Sequence, residues 1–218
     1  MMGSCMGKMG RTADPTAMGT FPTTTDKNVG PLTGATPDPI HGDMQSRFNV
    51  YRPKDLVAGG YCFPIVIWSN GHGDQPEPSP PECVLNSCGH YATVMQQFAS
   101  HGFVVVVSLS STTSLGDPPP SAVGLEWILK QADDPASPYY HHLDTTRIGA
   151  AGHSEGGAAT SKLAADPHIS AISSVSGPAA NPLIHQPALL FVGGMEPAPA
   201  PPRLPIATSA MNVVNSIT

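Results

Sequence analysis

A serine flanked by glycines, in the segment Gly152-His153-Ser154-Glu155-Gly156, offers the residue types that nucleophilic chemistry needs. In a chain with 22 glycines, the G-x-S-x-G spacing is expected by chance about 0.2 times, so its context must support it. Apolar residues from Ile148 to Ala151 precede the segment, as in a buried strand, and good helix formers from Ala158 to Ala165 follow it. The sequence therefore predicts a strand, a tight turn and a helix, which lift the Ser154 hydroxyl out of the sheet as a nucleophile.

Acyl transfer through a serine also needs two N–H donors for the negative oxygen of the tetrahedral intermediate. One would be the backbone N–H of Glu155, directly after the nucleophile. The second would come from the loop at residues 69–74, which follows an apolar strand, and we assign it to the N–H of His72. An ordinary turn is the alternative interpretation of this loop.

The rest of the chain alternates apolar runs with helical patterns, and this alternation predicts the fold. Helices are predicted at 89–101, 121–131, 158–165 and, weakly, 206–217. Strands are predicted at 47–52, antiparallel at a sheet edge, and at 63–68, 103–107, 148–151, 169–175 and 187–192. The pattern is typical of an α/β fold with a mostly parallel central sheet and helices on both faces. Reactive groups then gather beyond the carboxyl ends of the strands.

The composition excludes several partners and suggests a boundary. The 218 residues carry a net charge of −6, so we expect no nucleic acid and no anionic membrane, since either needs a basic surface. No apolar window of about 20 residues predicts a membrane span. The first forty residues lack the apolar segment of a signal peptide. They are rich in Gly, Thr, Pro and Met, and we expect residues 1–40 to form an irregular arm before one domain at 41–218.

The cysteines leave two interpretations open. Cys83 and Cys88 enclose a short segment of a proline-rich loop and could close a small disulfide ring. Together with His90 they could instead contribute to a metal site, but a fourth ligand is lacking nearby. We therefore predict neither a metal nor another cofactor.

Several landmarks in one order carry a resemblance over about residues 48–201. They are Ser69-Asn70-Gly71-His72, Ala99-Ser100-His101-Gly102-Phe103-Val104-Val105, Leu143-Asp144-Thr145-Thr146-Arg147-Ile148-Gly149, Gly152-His153-Ser154-Glu155-Gly156-Gly157 and Pro187-Ala188-Leu189-Leu190-Phe191-Val192-Gly193. The chain resembles the α/β-hydrolases of the bacterial cutinase and polyester-hydrolase type, relatives of the platelet-activating-factor acetylhydrolases. The resemblance implies a serine esterase that hydrolyses a small ester or a polyester through an acyl-enzyme on Ser154. It also suggests a secreted or periplasmic protein, and we expect a monomer.

The acid and base of such a site match less well. In the family an aspartate follows the last strand, before an Ala-Pro pair. Matching that pair to Ala200-Pro201 puts Pro197 at the position of the family's aspartate. Glu196, one residue earlier, is therefore our candidate acid. The alternative is that Glu196 is a solvated loop residue. The family supplies the histidine after a further helix and strand, and no histidine follows His185. We expect the domain to be C-terminally incomplete, lacking that last strand and helix, and the base is not identified.

We also assign positions to two other histidines and to the substrate cleft. His185 precedes the last strand, on the side remote from Ser154, and His153 is expected to pack beneath the turn. The aromatic cleft of the polyester hydrolases is thinned: its oxyanion-loop aromatic corresponds to His72, the methionine after the serine to Glu155, and a tryptophan to Pro178. We assign Asn70 and Pro178 to the cleft. Loss of aromatic faces weakens the binding of aryl esters.

The charge of Glu155 would disfavour the oxyanion unless the side chain points to solvent. Two alternatives to an active esterase follow from these departures. One is a non-catalytic hydrolase-fold protein that binds an acyl or polymeric ligand, and the other is a thioesterase or dienelactone-type hydrolase.

Overall fold

A computed structural model of the protein describes residues 14, 16–30, 47–72, 91–110, 113–114, 116, 118–177 and 184–191. Within these residues there are three α-helices, α1 (Ala92–Ser100), α2 (Pro120–Asp133) and α3 (Glu155–Leu163). There are seven strands, β1 (Thr23–Val29), β2 (Phe48–Pro53), β3 (Phe63–Ser69), β4 (Val104–Ser108), β5 (Leu143–His153), β6 (Ile169–Val175) and β7 (Ala188–Phe191).

The strands form one mixed sheet in the order β1-β2-β4-β3-β5-β6-β7. β1 pairs antiparallel with β2, and β2 antiparallel with β4, while the pairs from β4 to β7 are all parallel. The predicted α/β fold with a mostly parallel sheet is therefore confirmed. The carboxyl ends of β3, β5 and β6 share one rim, where Ser69 aligns with Gly152 and His153 aligns with Val175.

The four valines of β4 show why an apolar run becomes a central strand. Val104 and Val106 enter the core on the side of α2, whereas Val105 and Val107 enter the core on the side of α1. Successive side chains point to opposite faces of a sheet, so a strand covered on both faces needs apolar residues at every position. All four valines are almost completely buried.

The helices cover both faces, as the sequence predicts. Met95 and Ala99 of α1 are buried against one face. On the other face the ring of Trp127 in α2 stacks on Phe48 with 5.7 Å between ring centroids. Leu163 of α3 joins the same core. The sheet is thus rigidly packed beneath the rim that carries Ser154.

Strand β1 departs from the prediction that residues 1–40 are irregular, because Thr23–Val29 pairs along β2. The prediction that β2 lies at the edge of the sheet is wrong for the same reason, although its antiparallel direction is correct. Consecutive β-branched threonines suit an extended chain, but they carry no apolar alternation that would mark a strand. The predicted helix at 206–217 lies outside the described residues.

A polar cluster fixes β1 to the rest of the molecule. The Asp26 carboxylate accepts from Arg52 Nε at 2.6 Å and from Nη2 at 3.0 Å, and from the Tyr139 hydroxyl at 2.5 Å. Burial, together with the neighbouring carboxylate, raises the pKa of Tyr139, so the hydroxyl stays protonated and donates. The cluster joins β1, β2 and the segment between α2 and β5.

We expect Tyr139→Phe to lower the free energy of unfolding by about 1.5–3 kcal/mol, because one part-buried hydrogen bond to a charged acceptor is lost. Urea denaturation measures the change. Tyr140→Phe is the matched control, since no hydrogen bond of the Tyr140 hydroxyl to another described residue is present. Equal effects of the two substitutions would contradict the role given to the Tyr139 hydroxyl.

Candidate active site

Ser154 occupies the turn between β5 and α3, so the predicted strand, turn and helix are all present. Its backbone has φ 54° and ψ −118°, a conformation that costs a residue with a side chain about 1–3 kcal/mol. The Ser154 N–H donates to the carbonyl of Val175 at 2.9 Å and holds the turn against β6. Glu155 is the first residue of α3, so its N–H has no acceptor within the helix and is available to a ligand.

Gly156 allows α3 to begin this close to the sheet. A Cβ at Gly156 would overlap the carbonyl oxygen of Ser69 and lie 2.6 Å from that of Asn70. A Cβ at Gly152 would overlap the carbonyl oxygen of Gly156 in the same way. The two glycines of the motif are therefore needed for backbone to approach backbone, which brings the start of α3 to the loop after β3.

Gly156→Ala should lower the free energy of unfolding by about 2 kcal/mol or more, because a rigid backbone group must move to accept the methyl group. Gly149→Ala is the control, since a Cβ there would meet only Ala171 O at 3.8 Å and Ile65 O at 4.0 Å, both ordinary contacts. Thermal and urea unfolding of both variants measure the difference. A Gly156→Ala variant as stable as Gly149→Ala would refute the close approach.

The loop after β3 is held from below by Asn70. Its side-chain oxygen accepts from Trp68 Nε1 at 3.1 Å, and its Nδ2 donates to the Ser108 carbonyl at 2.8 Å. Its own carbonyl accepts from the Thr113 hydroxyl at 2.7 Å. The sequence analysis assigned Asn70 to the substrate cleft, but the residue is fully buried and both groups of its side chain are occupied. It supports the loop instead.

Tyr91 fixes the same loop one residue later. The Gly71 N–H donates to the Tyr91 hydroxyl at 3.3 Å, and that hydroxyl lies 2.7 Å from His153 Nδ1. Tyr91 is buried, and its ring also contacts Trp68 at 5.3 Å between centroids. His153 thus packs beneath the turn, as expected. Sequence analysis missed the role of Tyr91, and the signal was a hydroxyl at a buried helical position, which needs a partner.

In Tyr91→Phe the Gly71 N–H loses its acceptor, so we expect the free energy of unfolding to fall by about 1–3 kcal/mol. Tyr61→Phe serves as the control, because the Tyr61 ring packs on Phe21 and Phe63 without a hydrogen bond to another described residue. Calorimetry of the two variants gives the comparison. Indistinguishable melting temperatures would show that the Tyr91 hydroxyl does not hold the loop.

The side chains of the two expected oxyanion donors contact each other. His72 Nδ1 lies 2.7 Å from Glu155 Oε2, and a carboxylate can only accept, so Nδ1 carries the proton. The other oxygen, Oε1, accepts from the Ser114 N–H at 3.0 Å and from the Ser114 hydroxyl at 2.7 Å. Only 16% of the Glu155 side chain is exposed. Its charge is therefore neither directed to solvent nor unpaired, which the sequence analysis did not foresee.

Five of the remaining candidates lie outside the described residues: Glu196, Pro178, the possible disulfide partners Cys83 and Cys88, and His90. His185 precedes β7, at the amino end of that strand and away from the rim of Ser154. Among the histidines that the structure describes, none is hydrogen-bonded to Ser154 Oγ.

Four further observations concern metal ligands, disulfides, membrane spans and cavities. No group of three or more His, Cys, Asp or Glu side chains within the described ranges is arranged to hold a metal ion. Cys62 is disulfide-bonded. No helix in the described part of the chain is long and apolar enough to cross a membrane. A cavity of about 760 Å³ lies at the opposite end of the sheet, and it is lined by Phe21, Leu56 and Tyr61 among others.

Comparison with known proteins identifies the family. A family model described as PET hydrolase-like matches residues 86–217, which is more than half of the chain and includes the turn at Ser154. A comparison with curated proteins gives no match. The matched segment contains α1 to α3 and β4 to β7, so it covers most of the parallel sheet. The chain therefore belongs to the PET hydrolase-like family, a family of α/β-hydrolases.

Proposed function

We propose that the protein is a serine esterase that hydrolyses carboxylic esters, including polyesters, through an acyl-enzyme on Ser154. Membership of the family makes it a hydrolase of the α/β type. The observation that carries the finer proposal is the conformation of Ser154, with φ 54° in a turn between a buried strand and a helix. A strained serine at this point presents its hydroxyl beyond the carboxyl end of β5, next to the start of α3.

The chemistry would proceed in two halves. Ser154 Oγ attacks the ester carbonyl carbon while its proton passes to a base. The bond to the alcohol oxygen then breaks, and the leaving alkoxide takes that proton, which leaves an acyl-enzyme. A water molecule attacks the acyl-enzyme, the carboxylic acid departs, and Oγ regains a proton. The carbonyl oxygen bears negative charge in both tetrahedral intermediates.

Backbone groups at the rim supply the electrostatic support in this proposal. The N–H of Glu155 is free at the positive end of α3, and we assign the second donor to the N–H of His72. The side chains of Glu155 and His72 are in contact. This contact supports the proposal that the two N–H groups lie on the same side of the Ser154 hydroxyl. For the acid that orients the base, Glu196 stays our candidate.

The substrate class follows from the side chains around these donors. Where the polyester hydrolases carry an aromatic residue and a methionine, this chain has His72 and Glu155, joined at 2.7 Å. A polar pair gives less stacking area for an aryl group than aromatic faces do. We therefore propose aliphatic esters and aliphatic polyesters as better substrates than aromatic ones. The disulfide at Cys62 supports the proposal of a secreted or periplasmic enzyme, because disulfides persist in oxidising compartments.

A second candidate is a hydrolase-fold protein that binds an acyl or polymeric ligand without turnover. It is favoured by the observation that no described histidine is hydrogen-bonded to Ser154 Oγ. Without a base the hydroxyl is a weak nucleophile. Ligand binding that is tight, occurs without turnover and is unchanged by Ser154→Ala would favour this candidate.

The test is covalent labelling of the folded protein with a fluorophosphonate, followed by mass spectrometry of the modified peptide. We expect Ser154 to be labelled, and both labelling and hydrolysis of p-nitrophenyl butyrate to disappear in Ser154→Ala. Ser170→Ala, which changes an exposed serine at the start of β6, should label and turn over like the wild type. An unlabelled wild type, or labelling that persists in Ser154→Ala, would exclude the proposed nucleophile.

A further inference from the structure

The Glu155 carboxylate receives three hydrogen bonds from two loops that reach the site from different parts of the sheet. We propose that Glu155 is a positioning residue, which fixes the separation of the two oxyanion donors by tying the His72 side chain and Ser114 to the start of α3. The proposal rests on the proposed function, because it assigns a role to side chains within the same site.

The two donors belong to different elements, so their separation depends on contacts between those elements. The N–H of Glu155 belongs to α3, and the N–H of His72 belongs to the loop after β3. Buried partners anchor that loop at Asn70 and Gly71. His72 lies one residue beyond the last of these anchors, and its bond to Glu155 at 2.7 Å connects it to α3.

Ser114 fixes the direction of the carboxylate. Its N–H and its hydroxyl both donate to Oε1, while Oε2 faces His72. The Ser114 carbonyl in turn accepts from Lys162 Nζ at 3.0 Å. Glu155 and Lys162 are two turns apart on α3, so the helix holds Ser114 at two points. With each carboxylate oxygen bound to a different loop, rotation of the side chain would break one set of bonds.

The contact between His72 and Glu155 is expected to affect turnover more than stability. The His72 side chain is 67% exposed, and Glu155 keeps its bonds to Ser114 when His72 is replaced, so the loss of this contact costs little stability. Catalysis, in contrast, depends on donor positions within fractions of an ångström. Loss of the pair should therefore reduce turnover far more than it reduces the melting temperature.

The experiment is a double-mutant cycle of His72→Phe and Glu155→Met, with kcat and KM measured on methyl butyrate, an ester without an aryl group. Each single substitution should lower kcat about tenfold with KM changed by less than about twofold, and the double variant should be no worse than about tenfold. Glu155→Gln keeps an acceptor for Ser114 and an amide that can bond to His72, so it should recover kcat to within about threefold. Glu126→Gln removes an exposed carboxylate elsewhere, on α2, and should leave kcat unchanged.

Two further measurements make the outcomes distinct. Amide hydrogen exchange of the peptide that carries His72 should accelerate in Glu155→Met and not in Glu126→Gln. Unchanged kcat in His72→Phe with normal fluorophosphonate labelling of Ser154 would overturn the positioning role alone. Losses that multiply to about a hundredfold in the double variant would overturn it as well, because the two side chains would then act independently. A wild type that is not labelled overturns the proposed function and this role together.

Discussion

The geometry of the site depends on one backbone contact, in which the first turn of α3 touches the end of β3. Gly156 makes that contact possible, because any side chain there would overlap the carbonyl oxygen of Ser69. Ser154 accepts a strained conformation on one side of the contact, and the loop after β3 lies on the other. The turn at Ser154 and the loop after β3, which we propose to be the nucleophile and the oxyanion loop, therefore meet through main chain, which cannot change its shape as a side chain does.

Beneath this contact, buried polar groups fix residues 70–72, which follow β3. The Asn70 side chain donates to the Ser108 carbonyl of β4, and the hydroxyl of Tyr91, just before α1, accepts from the Gly71 N–H. Buried polar groups without partners are costly, so such a network either forms completely or destabilises the fold. Strained and precisely bonded residues gather at one rim, whereas the apolar layers on both faces of the sheet supply the stability that supports them.

The sequence predicts the elements whose patterns are local. The strand at 169–175 is found at the predicted bounds, because the β-branched residues Ile169, Ile172 and Val175 mark it and a glycine follows soon after. β1 was missed because its threonines carry no alternation, and its place is decided by pairing with β2 and by Asp26 bonding to Arg52. The turn at Ser154 was recognisable from its glycines. The contact between His72 and Glu155 joins residues that are 83 positions apart, and no local pattern encodes such a pair.

The pairing of His72 with Glu155 also constrains how the site could change. A substitution at His72 removes the partner of Glu155 Oε2, and a substitution at Glu155 removes the partner of His72 Nδ1. Both positions correspond to apolar or aromatic residues in the polyester hydrolases that the chain resembles. Replacing only one of the two residues would therefore reduce activity, whether in evolution or in engineering. Both residues have to be exchanged together to convert one kind of cleft into the other.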